Sequence, residues 1–293
     1  MGRRKPATTH GVTVVDKPAG MTSHDVVGVL RRRLGERQIG HAGTLDPDAT
    51  GVLVVGVGMA TRLLRFVVDS RKRYVGDVVL GTETSTLDAA GEITAVHDMS
   101  GVGIDDARRV VAEHLTGDIL QVPPMVSALR VGGRRLHELA REGIEVERLP
   151  RPVTVYGFDV SEGPAPGVLH VDVECSSGTY IRSLASDLGR LLGGGAHLRD
   201  LRRVAVGSFT IDEAAPPDEC VLLPVATAVR SLAVVVVDDD VAAVVANGKV
   251  LEAWPGGGPW AVFDQHDRLL AVYESYREHE AKPSVVLPTP AAG

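Results

Sequence analysis

Twelve residues, Gly40-His-Ala-Gly-Thr-Leu-Asp-Pro-Asp-Ala-Thr-Gly51, set two carboxylates two positions apart among three glycines and a proline. Pro47 biases Asp46 toward an extended backbone and away from helix, which narrows where its carboxylate can point. The glycines let the chain turn sharply or come close to a ligand. A continuous apolar run, Val52–Val57, follows at once and reads as a buried strand that anchors the loop. An aspartate held in this way can act as a nucleophile or a general base. The same residues also fit a turn in which Asp46 and Asp48 bond their own backbone, and spacing alone favours the turn.

A second stretch, Cys175-Ser-Ser-Gly-Thr-Tyr-Ile-Arg182, leads into a helix predicted from Tyr180 to Leu192. Its apolar stripe is Ile181, Leu184, Ala185, Leu188 and Leu191. Arg182 falls off that stripe near the helix start, where a guanidinium can grip a carboxylate or meet a phosphate, or simply stay solvated. Two of the five tyrosines, Tyr74 and Tyr180, lie beside basic residues. A nucleobase can stack on such a ring, although core packing is the commoner use of tyrosine. Other patterns carry no chemistry. Gly56-Val-Gly58 lacks the third glycine of a dinucleotide loop, and no Ser-centred elbow or His-Glu-x-x-His occurs. The histidines at 10, 24, 41, 97 and 114 show no metal-ligand spacing.

The elements that must position these groups are legible from pattern. Val12–Asp16 reads as a strand, and His24–Leu34 as a helix that Thr22 or Ser23 can cap. Met59–Val68 has helical periodicity, Arg73–Leu80 alternates like a strand, and Ile104–Leu115 fits a helix with acidic residues in its first turn. Residues 121–151 look like an inserted loop around a short helical patch, Leu136–Arg141. Strands are expected at Val153–Val160 and Val168–Glu174. Pro216–Pro224 reads as a linker. Beyond it, a helix starting at Asp238–Asp240 and strands at Leu232–Val237, Ala261–Asp264, Leu269–Tyr273 and Val285–Leu287 make a compact β-rich module. The expected organisation is a catalytic domain over 1–225, a small domain over 226–288 and a disordered tail over 289–293.

The chain has 293 residues, 44% apolar and 24% charged, as an ordinary globular protein does. No run reaches the length a membrane span needs, and the basic N-terminus has no apolar segment behind it, so no membrane role or secretion is expected. Two cysteines suit a reducing cytoplasm. The net charge of −7 argues against a nucleic-acid partner until it is divided. Residues 1–66 hold ten Lys/Arg against five Asp/Glu, whereas residues 210–293 hold five against thirteen. Six arginines lie within Arg130–Arg151, and Arg199, Arg202 and Arg203 cluster again, so the folded chain can present a basic face with an acidic flank.

Six blocks occur together along residues 12 to about 210: Lys17-Pro-Ala-Gly-Met-Thr-Ser23, the Gly40–Gly51 loop, Lys72-Arg-Tyr74, Val122-Pro-Pro-Met-Val-Ser-Ala-Leu129, Gly178-Thr-Tyr-Ile-Arg182 and Gly195-Ala-His-Leu-Arg-Asp-Leu-Arg-Arg203. They resemble the TruB family of tRNA pseudouridine synthases. The resemblance implies an α+β fold: a mixed, mainly antiparallel sheet flanked by helices, plus a small β-rich PUA-like domain. It implies isomerisation of uridine to pseudouridine at position 55, in the T loop of tRNA, with base flipping and neither metal nor organic cofactor. Asp46 matches the catalytic aspartate, Tyr74 the stacking tyrosine and Arg182 the arginine that pairs with the carboxylate. His41 matches a substrate-binding histidine that helps open the T loop as the uridine leaves the stack, and Lys17, Tyr180 and Leu201 match further substrate-binding residues of the pocket. Arg130, Arg134, Arg135, Arg202 and Arg203 are expected to meet RNA. The 121–151 insertion corresponds to a loop that closes over the T stem-loop, and the last domain would reach the acceptor arm. A monomer acting without guide RNA is expected. By the same resemblance, Arg182 is expected to keep Asp46 ionised and aimed. An RNA-binding module without chemistry, a guide-RNA-dependent synthase of the dyskerin type and a glycoside hydrolase using Asp46 and Asp48 are the competing classes.

Overall fold

The run Thr50–Val57 is apolar at almost every position because both of its faces are covered, and it lies inside the larger of two main sheets. The computed structural model describes residues 7–127 and 129–288. In chain order, the first half contains β1 (Gly11–Lys17), α1 (Ser23–Leu34), β2 (Ile39–His41), β3 (Thr50–Val57), α2 (Leu64–Val68), β4 (Lys72–Leu80), the hairpin β5 (Thr82–Thr84) and β6 (Ile93–Val96), α3 (Ile104–His114) and β7 (Gly117–Gln121). The insertion contributes β8 (Arg130–Val131), β9 (Arg134–Arg135) and α4 (Leu136–Arg141). Then come β10 (Arg151–Glu162), β11 (Val168–Cys175), α5 (Ile181–Leu191), β12 (Ala196–Val206) and β13 (Phe209–Thr210). The last part holds β14 (Ala233–Val236), α6 (Asp239–Ala246), β15 (Leu251–Glu252), β16 (Trp260–Phe263), β17 (Leu269–Arg277) and β18 (Glu280–Val286).

The large sheet runs β1-β3-β12-β4-β11-β10-β7, with β2 beside β3 and β13 beside β12. Only the β12–β3 pairing in it is parallel, so the mixed, mainly antiparallel sheet holds. α3 and α5 cover one face through Ala107, Val111, Leu115, Ile181, Leu184 and Leu188, packed on Val78, Val171, Val173 and Leu198. α1 buries Val26, Val27 and Leu30 against Val15, Leu53, Val55 and Val57. Its start is set by Thr22, whose hydroxyl accepts the Asp25 amide at 3.1 Å while the Asp25 carboxylate accepts the Thr22 amide at 2.9 Å. It stops at Gly35, at φ +62°.

β12 is the element the sequence does not announce, although it is central to the sheet. Its charges at Arg199, Asp200, Arg202 and Arg203 mask the two-residue alternation. The ladder with β4 slips between Arg199 and Arg202, where Asp200 takes φ +54°. That bulge re-aims Leu201.

The second sheet runs β14-β16-β17-β18-β15. Ala261, Val272, Val285 and Leu287 from it join a cluster with Ala60, Leu64, Val67 and Phe209 of the first part. The stretch read as a linker is not free. Val12 and Leu223 exchange backbone hydrogen bonds of 3.0 and 2.7 Å, and Asp16 donates to Ala215 at 2.9 Å, so this stretch pairs with β1. The expected tail, 289–293, lies outside the described residues, as do residues 1–6 and Ala128.

Candidate active site

The segment carrying Asp46 is fixed on both sides by bonds to its backbone. The buried Ser23 hydroxyl accepts the Leu45 amide at 2.9 Å and donates back to the Leu45 carbonyl at 3.3 Å. Lys17, fully buried, donates to the carbonyls of Pro18 (2.9 Å), Met21 (2.6 Å) and Pro47 (2.8 Å). Arg203, 1% exposed, reaches the carbonyls of Val52 at 2.8 Å, Gly43 at 3.1 Å and Thr44 at 3.5 Å. Lys17 has all three N–H groups engaged by the main chain, so it braces the loop. Arg203 braces the loop from beneath and also lines a cavity beside Asp46. Burial pulls the Lys17 ammonium down to about 8, against the opposing pull of Asp48 and Asp46.

Arg182 is 5% exposed, so the solvated reading fails. Its Nη2 lies 2.9 Å from Asp46 Oδ2 and its Nη1 lies 3.3 Å from Asp88 Oδ2. Nη1 also donates to the Thr86 carbonyl at 2.9 Å and Nη2 to the Val126 carbonyl at 3.0 Å. One guanidinium thus ties together the Asp46 loop, the turn of the β5–β6 hairpin and the start of the insertion. Asp46 faces this cation rather than closing a turn on its own backbone. Burial pushes its carboxyl above the usual carboxylate range; Arg182 opposes that rise and Asp88 adds to it. Arg182 therefore favours the ionised form, as expected of it, while burial pulls more strongly the other way.

Asp88 escaped the sequence reading. A signal existed: Thr-Leu-Asp occurs at 44–46 and again at 86–88. Both triplets end on the same arginine.

Two cavities meet at this ion pair. One, of about 260 Å³, is lined by Tyr74, Lys72, Tyr180, Ile181, Leu45 and Arg203 among others; the second, of about 400 Å³, by Asp88, Ala89, Val126, Arg199 and Asp200. Asp46, Arg182 and Leu201 line both. Tyr74 and Leu201 are thereby brought beside Asp46, and Tyr180 joins them from the residue before α5. Burial raises the Tyr74 phenol above its ordinary value, with Arg203 opposing. His41 sits on β2 opposite Val55 and lines neither cavity; burial and the Arg203 charge lower its pKa. Arg202 forks onto Asp16 at 2.8 and 3.0 Å. Arg134 pairs with Glu142, while the side chains of Arg130 and Arg135 lie outside what is described. Among the described residues no group of three or more His, Cys, Asp or Glu is arranged to hold a metal, and no helix is long and apolar enough to cross a membrane.

A cleft in which a buried arginine holds Asp46 and Asp88, beside a tyrosine ring, suits chemistry on a planar base. Comparison with known proteins agrees. Residues 31–181 match the model of the TruB family pseudouridylate synthase N-terminal domain, and residues 182–229 that of the tRNA pseudouridylate synthase B C-terminal domain. The chain is 47% identical to tRNA pseudouridine synthase B of Corynebacterium aurimucosum, over 97% of this chain and 98% of that one. It is also 47% identical to the protein of that name from Streptomyces coelicolor, over 95% and 96% of the two chains. Among solved structures, a chain of an H/ACA ribonucleoprotein bound to a substrate RNA aligns with a TM-score of 0.71 at 25% identity, covering 96% of this chain and 86% of that one. A chain of a Cbf5-Nop10-Gar1 complex aligns with 0.70 at 28%, covering 92% and 79%. With the family model spanning 31–181 and relatives this similar over nearly its whole length, the chain belongs to the TruB family of pseudouridine synthases.

Proposed function

We propose that the protein isomerises the T-loop uridine at position 55 of tRNA to pseudouridine, with Asp46 as the catalytic carboxylate. The observation that carries this reading is the 2.9 Å pair between Asp46 and the buried Arg182, at the junction of two cavities, one of them walled by Tyr74. In the reaction the C1′–N1 bond breaks, the uracil turns, and C1′ joins C5. The C5 proton leaves and N1 gains one, so the change is redox-neutral and consumes nothing. The uridine must first leave the helical stack, at a cost of a few kcal/mol. Stacking on Tyr74 returns about 1–3 kcal/mol. Asp46 lines both cavities and Asp88 only one, which favours Asp46 as the group that meets the reacting nucleoside. Tyr180 and Leu201 complete the nucleoside contacts, and His41, outside both cavities, helps open the T loop as the uridine leaves the stack. Arg130, Arg134, Arg135 and Arg202 meet the RNA backbone.

In this reading the 9-stranded sheet and its insertion hold the T stem-loop, and the PUA-like C-terminal sheet takes the acceptor arm. The protein acts in the cytoplasm as a monomer and without a guide RNA, in keeping with an acidic rather than basic C-terminal end. Incubation of the protein alone with an unmodified tRNA transcript, followed by mapping of pseudouridine, tests the activity. Asp46→Asn is expected to abolish product while tRNA binding stays within a few-fold. Turnover by that variant at a near-normal rate refutes the role of Asp46.

A further inference from the structure

Gln121 closes β7 at the root of the insertion, directly opposite Arg151 across the β7–β10 ladder. Its side chain is 2% exposed and spends its amide on one residue: Nε2 donates to the Tyr180 carbonyl at 3.0 Å and Oε1 accepts the Tyr180 amide at 2.8 Å. Tyr180 is the N-cap residue just before α5, two positions before Arg182. Two more bonds repeat the link. The Ser183 hydroxyl donates to the Val122 carbonyl at 3.0 Å, and Arg182 Nη2 to the Val126 carbonyl at 3.0 Å. That same Nη2 holds Asp46 Oδ2 at 2.9 Å, so its two hydrogens are divided between the insertion and the catalytic carboxylate.

We infer that Gln121 is a positioning residue for catalysis, which pins the root of the insertion to the first turn of α5 so that the Val126 carbonyl and Asp46 are held on one nitrogen of Arg182. The physical reason lies in the geometry of a planar guanidinium. Its N–H directions are fixed relative to one another, so displacing the acceptor at one hydrogen turns the other. If the segment 122–126 shifts relative to α5, Arg182 must either lose Val126 or rotate away from Asp46. The paired bonds from Gln121 resist that shift. They are buried, which makes leaving either of them unmade expensive. The consequence is that the insertion does more than enclose RNA: where its root sits decides how the carboxylate is aimed. This inference rests on the proposed reaction.

The test uses the full-length protein and measures, at saturating tRNA, the single-turnover rate of pseudouridine formation together with the tRNA Kd. Gln121→Met keeps the volume and removes both amide bonds. Its rate is expected to fall by roughly 10–100-fold, as a misplacement of about 1 Å does, with the Kd within about threefold of wild type. Gln121→Glu keeps the acceptor for the Tyr180 amide and is expected to fall between the two. A rate for Gln121→Met equal to wild type, or a loss confined to Kd, overturns the inference. Should Gln121→Met fail to fold, Ser183→Ala carries the test, because it removes only the neighbouring bond to Val122. A lowered rate at unchanged Kd supports the coupling and an unchanged rate overturns it. Wild-type protein that forms no pseudouridine at all sinks the proposed reaction instead, so the two failures are told apart.

Discussion

Removing the hydroxyl of Ser23 separates the aim of Asp46 from general stability, because its neighbour Thr22 provides a matched control. Both residues sit at the start of α1, yet their hydroxyls serve different ends. Thr22 caps the helix at an exposed site, whereas the buried Ser23 holds the amide and carbonyl of Leu45, the residue before Asp46. In Thr22→Ala the loss is that of an N-cap, about 1 kcal/mol of stability. In Ser23→Ala a buried N–H and C=O are stranded, for about 2 kcal/mol, or about 3 °C in Tm for a chain of this size. The rate is where the two part. Without its clamp the carboxylate can drift by up to about 1 Å, which lowers the single-turnover rate by roughly 10–100-fold. Thr22→Ala should stay within about twofold of wild type, since the loop is untouched and only the exposed cap is lost. Release of tritium from tRNA labelled at uridine C5 reports that rate directly, because C5 loses its hydrogen in the reaction. Equal rate losses in the two variants, or none in Ser23→Ala, refute the claim that this hydroxyl aims the catalytic loop.

Three further outcomes follow from the same contacts. The pKa of Asp46 is raised by burial and by Asp88, so an activity that needs the ionised carboxylate declines as pH falls through a value above the ordinary carboxylate range. Asp88→Asn removes one of the raising influences and should move that acid limb to lower pH; a shift to higher pH contradicts the electrostatic account. Gly51 adopts φ +101°, and a Cβ there would collide with the backbone carbonyl of Arg203 across the parallel β3–β12 contact. Gly51→Ala should therefore cost at least about 3 kcal/mol in denaturant unfolding, and a near-native midpoint contradicts this. Burial pushes the Cys175 thiol up to about 11, so a thiol-alkylating reagent at neutral pH should leave it unlabelled until the protein unfolds, as peptide mapping by mass spectrometry will show.

Where one physical signal dominated, the sequence was readable. α1 announces itself by a capping residue, an apolar stripe and a terminal glycine, and β3 by unbroken burial. α4 lies where its short helical patch was expected, at Leu136–Arg141. β12 was hidden because its charges are partnered inside the fold: Arg203 by loop carbonyls, Arg202 by Asp16 and Arg199 by Asp77 at 3.2 Å. A string of arginines in sequence looks like surface until their acceptors are known. The same difficulty hid that Lys17 and Arg203 brace main chain around the Asp46 loop. Asp88 was missed because its partner is 94 residues away and only the fold brings them together. The resemblance named Asp46, Tyr74 and Arg182, whereas spacing alone favoured a turn over a working carboxylate.

The apolar seam between the two sheets makes the C-terminal part a buttress rather than an appendage. Ala60, Leu64, Val67 and Phe209 share one buried cluster with Ala261, Val272, Val285 and Leu287. Trimming the chain near residue 230 would strip away the last four and bare a greasy strip on the body that carries Asp46. A shortened protein of this kind should clump, and any activity it lost would say as much about solubility as about RNA grip.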